Sequence, residues 1–316
     1  MRIIAILIDE VHPLIELIEQ CLKRNPGVDC RRVYWRDIVY SMSELGELHA
    51  RPLDGVSAVY LDRLGEEERS YATQLILLDH WACAHGVPIL NSPRPYLAAR
   101  DKALSGWLLT SSGVATPPTA VAFSNSALTA LTKNGPCAVK STQGVCAEEI
   151  VVGVALSATE IAPVLARDGA AVVQPFISNP DRFIWRIDVV AGRIVMMNRR
   201  YSYNDEPLPI CNGNRGGKVQ FSNLTSAGDT SVGRLAIRAT RNLRLDVAGV
   251  DIVVDEAGKE YVLEVNPEPD ATYENGALRT ELPFAIAELL LTKSALNRHC
   301  SNVTIQSHQA EGFKEC

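Results

Sequence analysis

The stretch from Gly249 to Asp270, GVDIVVDEAGKEYVLEVNPEPD, restricts the fold of this chain more than any other. Two apolar runs, Val250 to Val254 and Tyr261 to Val265, flank the polar segment DEAGKE, whose Gly258 suits a tight turn. The unit therefore reads as a β-hairpin. Asp251, Glu264 and Asn266 are the polar groups that interrupt or close the two runs. Glu264 and Asn266 are two apart, so on a strand they share a face. Asp251, near the start of the partner strand, comes close to that face in an antiparallel hairpin. Two carboxylates and an amide oxygen that converge in this way suit a hard cation such as Mg2+, which completes its octahedron with water and substrate phosphates. The plain alternative is a hairpin with a solvated polar face. Apolar Leu263 and Val265 on either side of Glu264 weigh against it.

The 316 residues allow two or three domain-sized layers with a sizeable core, and 47% hydrophobic residues is ordinary for a globular protein. A net charge of -6 argues against a general nucleic-acid footprint but leaves room for a local basic pocket. The 8 cysteines are scattered without a CxxC pair, so neither a zinc site nor a disulfide framework is expected. Reduced thiols point to the cytoplasm. The opening MRIIAILIDE is closed by Asp9 and Glu10 and reads as a buried strand rather than a signal peptide. No apolar run approaches the roughly 20 residues of a membrane span, so no membrane partner is expected.

In chain order, residues 3–8 read as a buried strand and Pro13 opens a helix with apolar Leu14, Leu17, Ile18, Cys21 and Leu22. Strands are expected at Val33 to Trp35, Val56 to Leu61 and Pro88 to Leu90, with a helix from Tyr71 to His85. This βαβ pattern predicts a small doubly wound α/β domain over residues 1–93. It carries no GxGxxG turn and is not a dinucleotide site. A helix from Leu97 to Ser112 follows, then strands at 120–123, 136–140, 150–154 and 171–177 and helices at 126–133 and 159–168. A hairpin about Gly192, a basic glycine-rich loop CNGNRGGK (211–218), a helix from Ser231 to Arg244 and the opening hairpin come next. A last helix runs from Pro283 to Leu296, and 297–316 reads as a frayed tail.

Several features could meet at one nucleotide. Lys140 closes an apolar strand, where a cation can hold a phosphate, and Lys102 could do the same. Solvated lysines are the alternative for both. Gln174, Pro175, Phe176 and Ile177 end a strand with an apolar bend, which offers faces and backbone edges to an adenine ring. Arg186 and Arg215 are cationic forks suited to carboxylate and phosphate, and the glycines around Arg215 permit close backbone approach. A mobile surface loop is the alternative there.

Taken in order, these features resemble the ATP-grasp superfamily, and within it the RimK-type glutamate ligases. The resemblance runs from about Asn91 to Pro269 through NSPRPYLAARDKALSGWLL, AVK with TQG, VQPFI, RRYS, NGNRGG, AGVDIVV and LEVNPEP. It implies a doubly wound pre-ATP-grasp domain (1–93) followed by a two-lobed α+β grasp fold, with lobes at 94–175 and 176–296. It implies ATP and two Mg2+ ions, with Mn2+ an admissible substitute. Lys102 and Lys140 match the phosphate-contacting lysines, and Gln174 to Ile177 the adenine hinge. Arg186 and Arg215 match arginines near the γ-phosphate and the activated carboxylate, with Asn214 in the same loop. Asp251, Glu264 and Asn266 match the metal ligands, Glu264 bridging two ions. Two departures stand out. The phosphate-covering segment, STQGVCAEE, is short, with Cys146 where glycine is usual. Ile184 replaces the usual acid two before Arg186.

The implied reaction is ADP-forming ligation of a small-molecule carboxylate to an amine through an acyl phosphate, with glutamate or another amino acid added to a metabolite or coenzyme precursor. A protein or peptide acceptor, a small-molecule kinase and a non-catalytic nucleotide-binding module are the alternatives, and the intact Asp251, Glu264, Asn266 set argues against the last. The family also makes a homo-oligomer an open expectation. Substrate choice is expected from the N-terminal domain, Tyr201 to Pro209, and the acidic segment at 267–276, for which a solvated loop is the alternative.

Overall fold

The computed structural model describes residues 1–63, 71–143, 150–202, 206, 208–211, 217–222, 224, 227–269, 273–274 and 277–300, without the side chains of 277 and 297–300. Asn214, Arg215, Gly144, Cys146 and the tail at 301–316 lie outside the described residues, as does most of 203–209 and 270–276.

The N-terminal layer contains β1 (Arg2–Ile8), α1 (Pro13–Lys23), β2 (Val28–Tyr34), β3 (Val39–Met42), β4 (Leu48–Arg51), β5 (Ala58–Leu61), α2 (Tyr71–His85) and β6 (Ile89–Leu90). Its four-stranded parallel sheet has the order β2-β1-β5-β6. Alternation along β1 sends Ile4, Ile6 and Ile8 to one face and Ala5 and Leu7 to the other. Both faces are covered, as a parallel strand requires. One is covered by α1, the other by Leu75, Leu78 and Trp81 of α2. The expected second strand is longer than its apolar part. It starts at Val28, because pairing with β1 carries the polar residues of an edge strand along. The β3–β4 hairpin was not expected from the sequence. Val39 and Met42 are exposed, so it lacks the alternation that marks a half-buried strand.

The helix expected from Leu97 to Ser112 is two helices, α3 (Pro93–Arg100) and α4 (Lys102–Ser111). Asp101 breaks it. Its backbone is extended, and its carboxylate accepts from Ala103 N and Leu104 N, both at 2.9 Å. Such a cap is worth about 1 kcal/mol. The break places Lys102 at the first position of a new helix.

The central layer comprises β7 (Ala120–Ala122), α5 (Asn125–Leu131), β8 (Cys137–Ser141), β9 (Ile150–Gly153), α6 (Ala158–Asp168) and β10 (Ala171–Pro175). The antiparallel sheet runs β7-β10-β8-β9. Cys137, Val139, Ala171 and Val173 pack against Leu128 of α5 and Ile161 and Val164 of α6. The alternate set, including Lys140 and Gln174, therefore occupies the opposite face.

The C-terminal layer comprises β11 (Phe183–Val190), β12 (Arg193–Tyr201), β13 (Val219–Phe221), α7 (Ser231–Asn242), β14 (Val247–Val254), β15 (Glu260–Asn266), β16 (Tyr273–Glu274), β17 (Ala277–Leu278) and α8 (Glu281–Cys300). Its five-stranded sheet is ordered β13-β12-β11-β14-β15. Ile187, Val189, Met197, Val250, Ile252, Val262 and Val265 pack on Leu235, Ala236 and Ala239 of α7. Each fully buried Leu, Ile or Val contributes about 1.5–3 kcal/mol. In α8, Leu282, Ile286 and Leu290 return to the N-terminal core beside α1.

Asn91 joins the first layer to the third. Its Nδ2 donates to Val247 O at 2.8 Å and Pro267 O at 3.0 Å, and its Oδ1 accepts from Asp246 N at 2.7 Å and Val247 N at 2.8 Å. Asn91→Ala leaves these buried backbone groups unpaired. It should lower stability by about 2–4 kcal/mol in a denaturant titration, whereas an unshifted midpoint would show that the contact carries no load.

Candidate active site

The hairpin forms as the sequence indicates, from β14 (Val247–Val254) and β15 (Glu260–Asn266). Gly258 closes its turn at φ +79°, and Asp255 Oδ1 accepts from Ala257 N at 2.9 Å and Lys259 N at 2.8 Å. Asp251 pairs directly with Glu264, and Gly249 with Asn266. The ladder then slips: Ile252 pairs with Val262, so Leu263 is an extra residue on β15. This bulge re-aims the strand. Without it Val262 and Glu264, two apart, would share a face. With it Val262 and Val265 join the core while Glu264 and Asn266 stand beside Asp251 on the polar face.

Arg186 on β11 lies opposite Asp251 of β14 and projects onto the same face. Its Nε donates to Asp188 Oδ1 at 3.0 Å, and its Nη1 donates to both Asp251 oxygens at 3.3 Å. Arg186 and Asp188 are 3% and 1% exposed. Burial works against the charged guanidinium, but Asp251 and Asp188 outweigh it and hold the group firmly protonated. Gly249 makes room: a Cβ there would come within 2.1 Å of Arg186 Nη2. With its oxygen turned to the guanidinium, the Asn266 amide accepts from Arg186 Nη1 at 2.9 Å and donates to Glu264 Oε1 at 3.0 Å.

The two lysines complete the ring of charge. Lys102 Nζ lies 3.2 Å from Glu264 Oε1. Its backbone N–H donates to Thr142 O at 2.8 Å, which ties the start of α4 to the end of β8. Lys140 is buried and donates to Gln174 Oε1 at 3.0 Å, while Gln174 Nε2 donates to Thr119 Oγ1 at 2.9 Å. Burial pulls the Lys140 ammonium below the ordinary lysine range. The Glu264 carboxylate opposes that fall and the Lys102 charge adds to it. Lys140 is thus within electrostatic reach of Glu264, Lys102 and Asp251. Beyond Gln174 the strand ends at exposed Pro175. Phe176 N donates to Pro136 O at 2.9 Å, and the side chains of Phe176 and Ile177 are half-buried.

The structure thus links Lys102, Arg186, Asp251, Glu264 and Asn266 by direct contacts, with the Lys140–Gln174 pair within electrostatic reach of them and Pro175 to Ile177 following Gln174. It also brings in residues that the sequence reading did not single out. Asp188 could have been found, since it is two residues from Arg186 on the same strand and shares its face. Gly249 and Asp101 lie inside the motifs but carry no mark of their steric and capping roles. For a divalent cation, Asp251, Glu264 and Asn266 supply oxygen donors only, which fits Mg2+. Among the described residues no group of three His, Cys, Asp or Glu side chains is placed to hold a metal without such help.

Comparison with known proteins gives the family. A family model for the RimK-like ATP-grasp domain matches residues 99–290, more than half of the chain. The chain belongs to this family. A protein named "Probable alpha-L-glutamate ligase" from Pasteurella multocida (strain Pm70) is 32% identical over 190 residues, covering 59% of this chain and 58% of its own length. The chain therefore spans less than two thirds of that relative. One of the same name from Alcanivorax borkumensis is 28% identical over 263 residues, covering 81% and 82%. Among solved structures, the ATP-grasp ligase PsnB complexed with minimal precursor aligns with a TM-score of 0.66 at 18% identity, covering 92% of this chain and 98% of that one. The D-alanine–D-alanine ligase from Bacillus anthracis gives 0.63 at 14%, covering 96% and 100%. The fold is thus the α/β ATP-grasp fold. No helix among the described residues is long and apolar enough to cross a membrane.

The lowered Lys140 gives a signed expectation. The unfolded lysine keeps its proton to higher pH, so between the folded and unfolded values the unfolded state binds more protons and stability rises with pH. Anion binding runs the other way, because the site loses its cation over that window. ATP affinity measured against pH should fall earlier than an ordinary lysine would allow, and Lys140→Arg should shift that fall to higher pH. Coincident profiles would show that Lys140 does not meet the nucleotide.

Proposed function

We propose that this chain is an ATP-dependent carboxylate–amine ligase that forms ADP and an amide through an acyl phosphate, adding glutamate or another amino acid to a small metabolite or coenzyme precursor. The observation that carries this reading is the oxygen set of Asp251, Glu264 and Asn266, ringed by Lys102, Lys140 and Arg186. The names of the relatives and of the ligases sharing the fold support it.

In this reading residues 94–175 and 176–296 close on the nucleotide and residues 1–93 present substrate. Gln174 to Ile177 receive the adenine, and Lys102 and Lys140 hold phosphate oxygens. Asp251, Glu264 and Asn266 hold Mg2+, which supplies charge neutralisation at the phosphates; two ions, or Mn2+ in their place, fit the same donors. A similar structure, PsnB complexed with minimal precursor, Mg and ADP, is consistent with that assignment. Phosphoryl transfer needs little covalent help from protein, so positioning and charge dominate. Arg186 serves this by fixing Asp251 and balancing its charge. Arg215, with Asn214 in its loop, is assigned on the resemblance to the oxyanion that develops when the amine attacks. Loss of such a donor costs about 10²–10³ in rate. A peptide acceptor is the second reading, because PsnB has been solved complexed with a precursor peptide.

ATP cleavage to ADP and phosphate should require an acid and an amine together, and mass spectrometry with labelled glutamate and other amino acids should find the amide. A stably phosphorylated product would make the protein a kinase instead. Glu264→Gln should abolish ATP turnover while the circular dichroism spectrum and melting temperature stay close to those of the parent. Near-parental turnover in that variant would overturn the metal assignment.

A further inference from the structure

The strand order of the N-terminal sheet reverses between β1 and β5. The carboxyl ends of such strands are where open α/β sheets take ligands. Two side chains that the nucleotide chemistry leaves unused meet there. His12 follows β1, Asp62 follows β5, and His12 Nε2 lies 2.9 Å from Asp62 Oδ2. Asp62 is 4% exposed, and its backbone N–H donates to Leu7 O at 3.0 Å, which fixes the carboxylate at the strand end. His12 stands at the N-cap of α1, yet its side chain makes no capping bond. Among the described residues its Nδ1 has no hydrogen-bond partner. In the tautomer whose Nε2 donates to Asp62 Oδ2, Nδ1 is the acceptor. This is a buried acid orienting an imidazole whose other nitrogen is open.

The pair also lies near the segment that follows β15. Tyr60, at the end of β5, is buried, and its phenol is pushed up by that burial and further by the carboxylates of Asp62 and Glu268. Glu268 lies two residues beyond Asn266 and is held by Arg100 at 2.8 Å. The His12–Asp62 pair and the segment leaving the metal-ligand strand therefore share one neighbourhood, along with Arg63.

We propose that His12 and Asp62 form the proton-accepting dyad for the amine substrate, with Asp62 orienting the ring and Nδ1 taking the proton. This rests on the ligase reading. An amine that arrives as an ammonium must shed one proton to free its lone pair and a second as the amide forms. Nδ1 accepts each in turn and passes it to solvent. The nitrogen lone pair forms the C–N bond, the C–O bond to phosphorus-bound oxygen breaks, and inorganic phosphate leaves with that electron pair. Asp62 stabilises the imidazolium formed in between.

The test separates proton acceptance from architecture. The full chain is assayed with ATP, Mg2+ and a panel of amino acids and dipeptides as acids, with either hydroxylamine or L-glutamate as amine. Hydroxylamine is already neutral at the assay pH and traps the acyl phosphate without a base, whereas L-glutamate arrives as an ammonium. His12→Gln and Asp62→Asn should lower amide formation with L-glutamate by about 100-fold or more, and hydroxamate formation by at least about tenfold less than that. Equal losses with both amines would reduce the pair to a strap between α1 and β5, and an undiminished amide rate would also overturn the proposal. Absence of hydroxamate from the parent chain with every acid would overturn the ligase reading, and the dyad with it.

Discussion

A guanidinium held between two carboxylates is the interaction on which the rest of this structure depends. Arg186 is almost fully buried, and a lone charge at that depth would cost several kcal/mol. Asp188 and Asp251 offset the cost, and each constrains the fold in doing so. Asp188 must lie two residues along β11, so the strand must hold its alternation there. Asp251 must lie across from Arg186, so β11 and β14 have only one acceptable register. Gly249 must remain without a side chain, because the guanidinium occupies that volume. The opposite face of the same sheet packs on α7, so the charged face is anchored to an apolar core rather than to a loop.

The same charges determine how the site can be used. The two carboxylates of the hairpin already have cationic partners, Arg186 on Asp251 and Lys102 on Glu264. A divalent cation bound there as proposed would meet donors already engaged by Arg186 and Lys102. In the proposed ligase reading a nucleotide would change that balance, because its phosphates would draw the lysines and add oxygen donors of their own. Metal and nucleotide would therefore, in that reading, be coupled through the lysines. Lys140 is poised for this, since burial already disfavours its charge and an incoming phosphate would restore it.

Much of this was legible in the sequence because it is local. The hairpin follows from two apolar runs about a glycine, and the lysine at the end of β8 from one run and its terminus. The spacing of Glu264 and Asn266 on β15 is visible in the sequence, but the bulge that sets both beside Asp251 is not. Val262 and Leu263 are adjacent apolar residues, and only pairing with β14 decides which of them is the bulge. The break at Asp101 was hidden because RDK is compatible with a continuous helix, and the cap forms only when the carboxylate turns onto Ala103 and Leu104. Asn91 binds backbone more than 150 residues away, and no periodicity announces such a contact. The β3–β4 hairpin buries too little to leave a pattern. Assignments to Asn214 and Arg215 rest on the resemblance alone.

The central claim is that cations of the protein guard the metal donors until nucleotide arrives. Calorimetric titration of Mn2+ into the chain, alone and with a non-hydrolysable ATP analogue, tests it most directly. The account predicts weak binding to the chain alone and binding tighter by about tenfold or more, some 1.4 kcal/mol, once the analogue is present. Equal affinity in both titrations, or tight binding to the nucleotide-free chain, would contradict it.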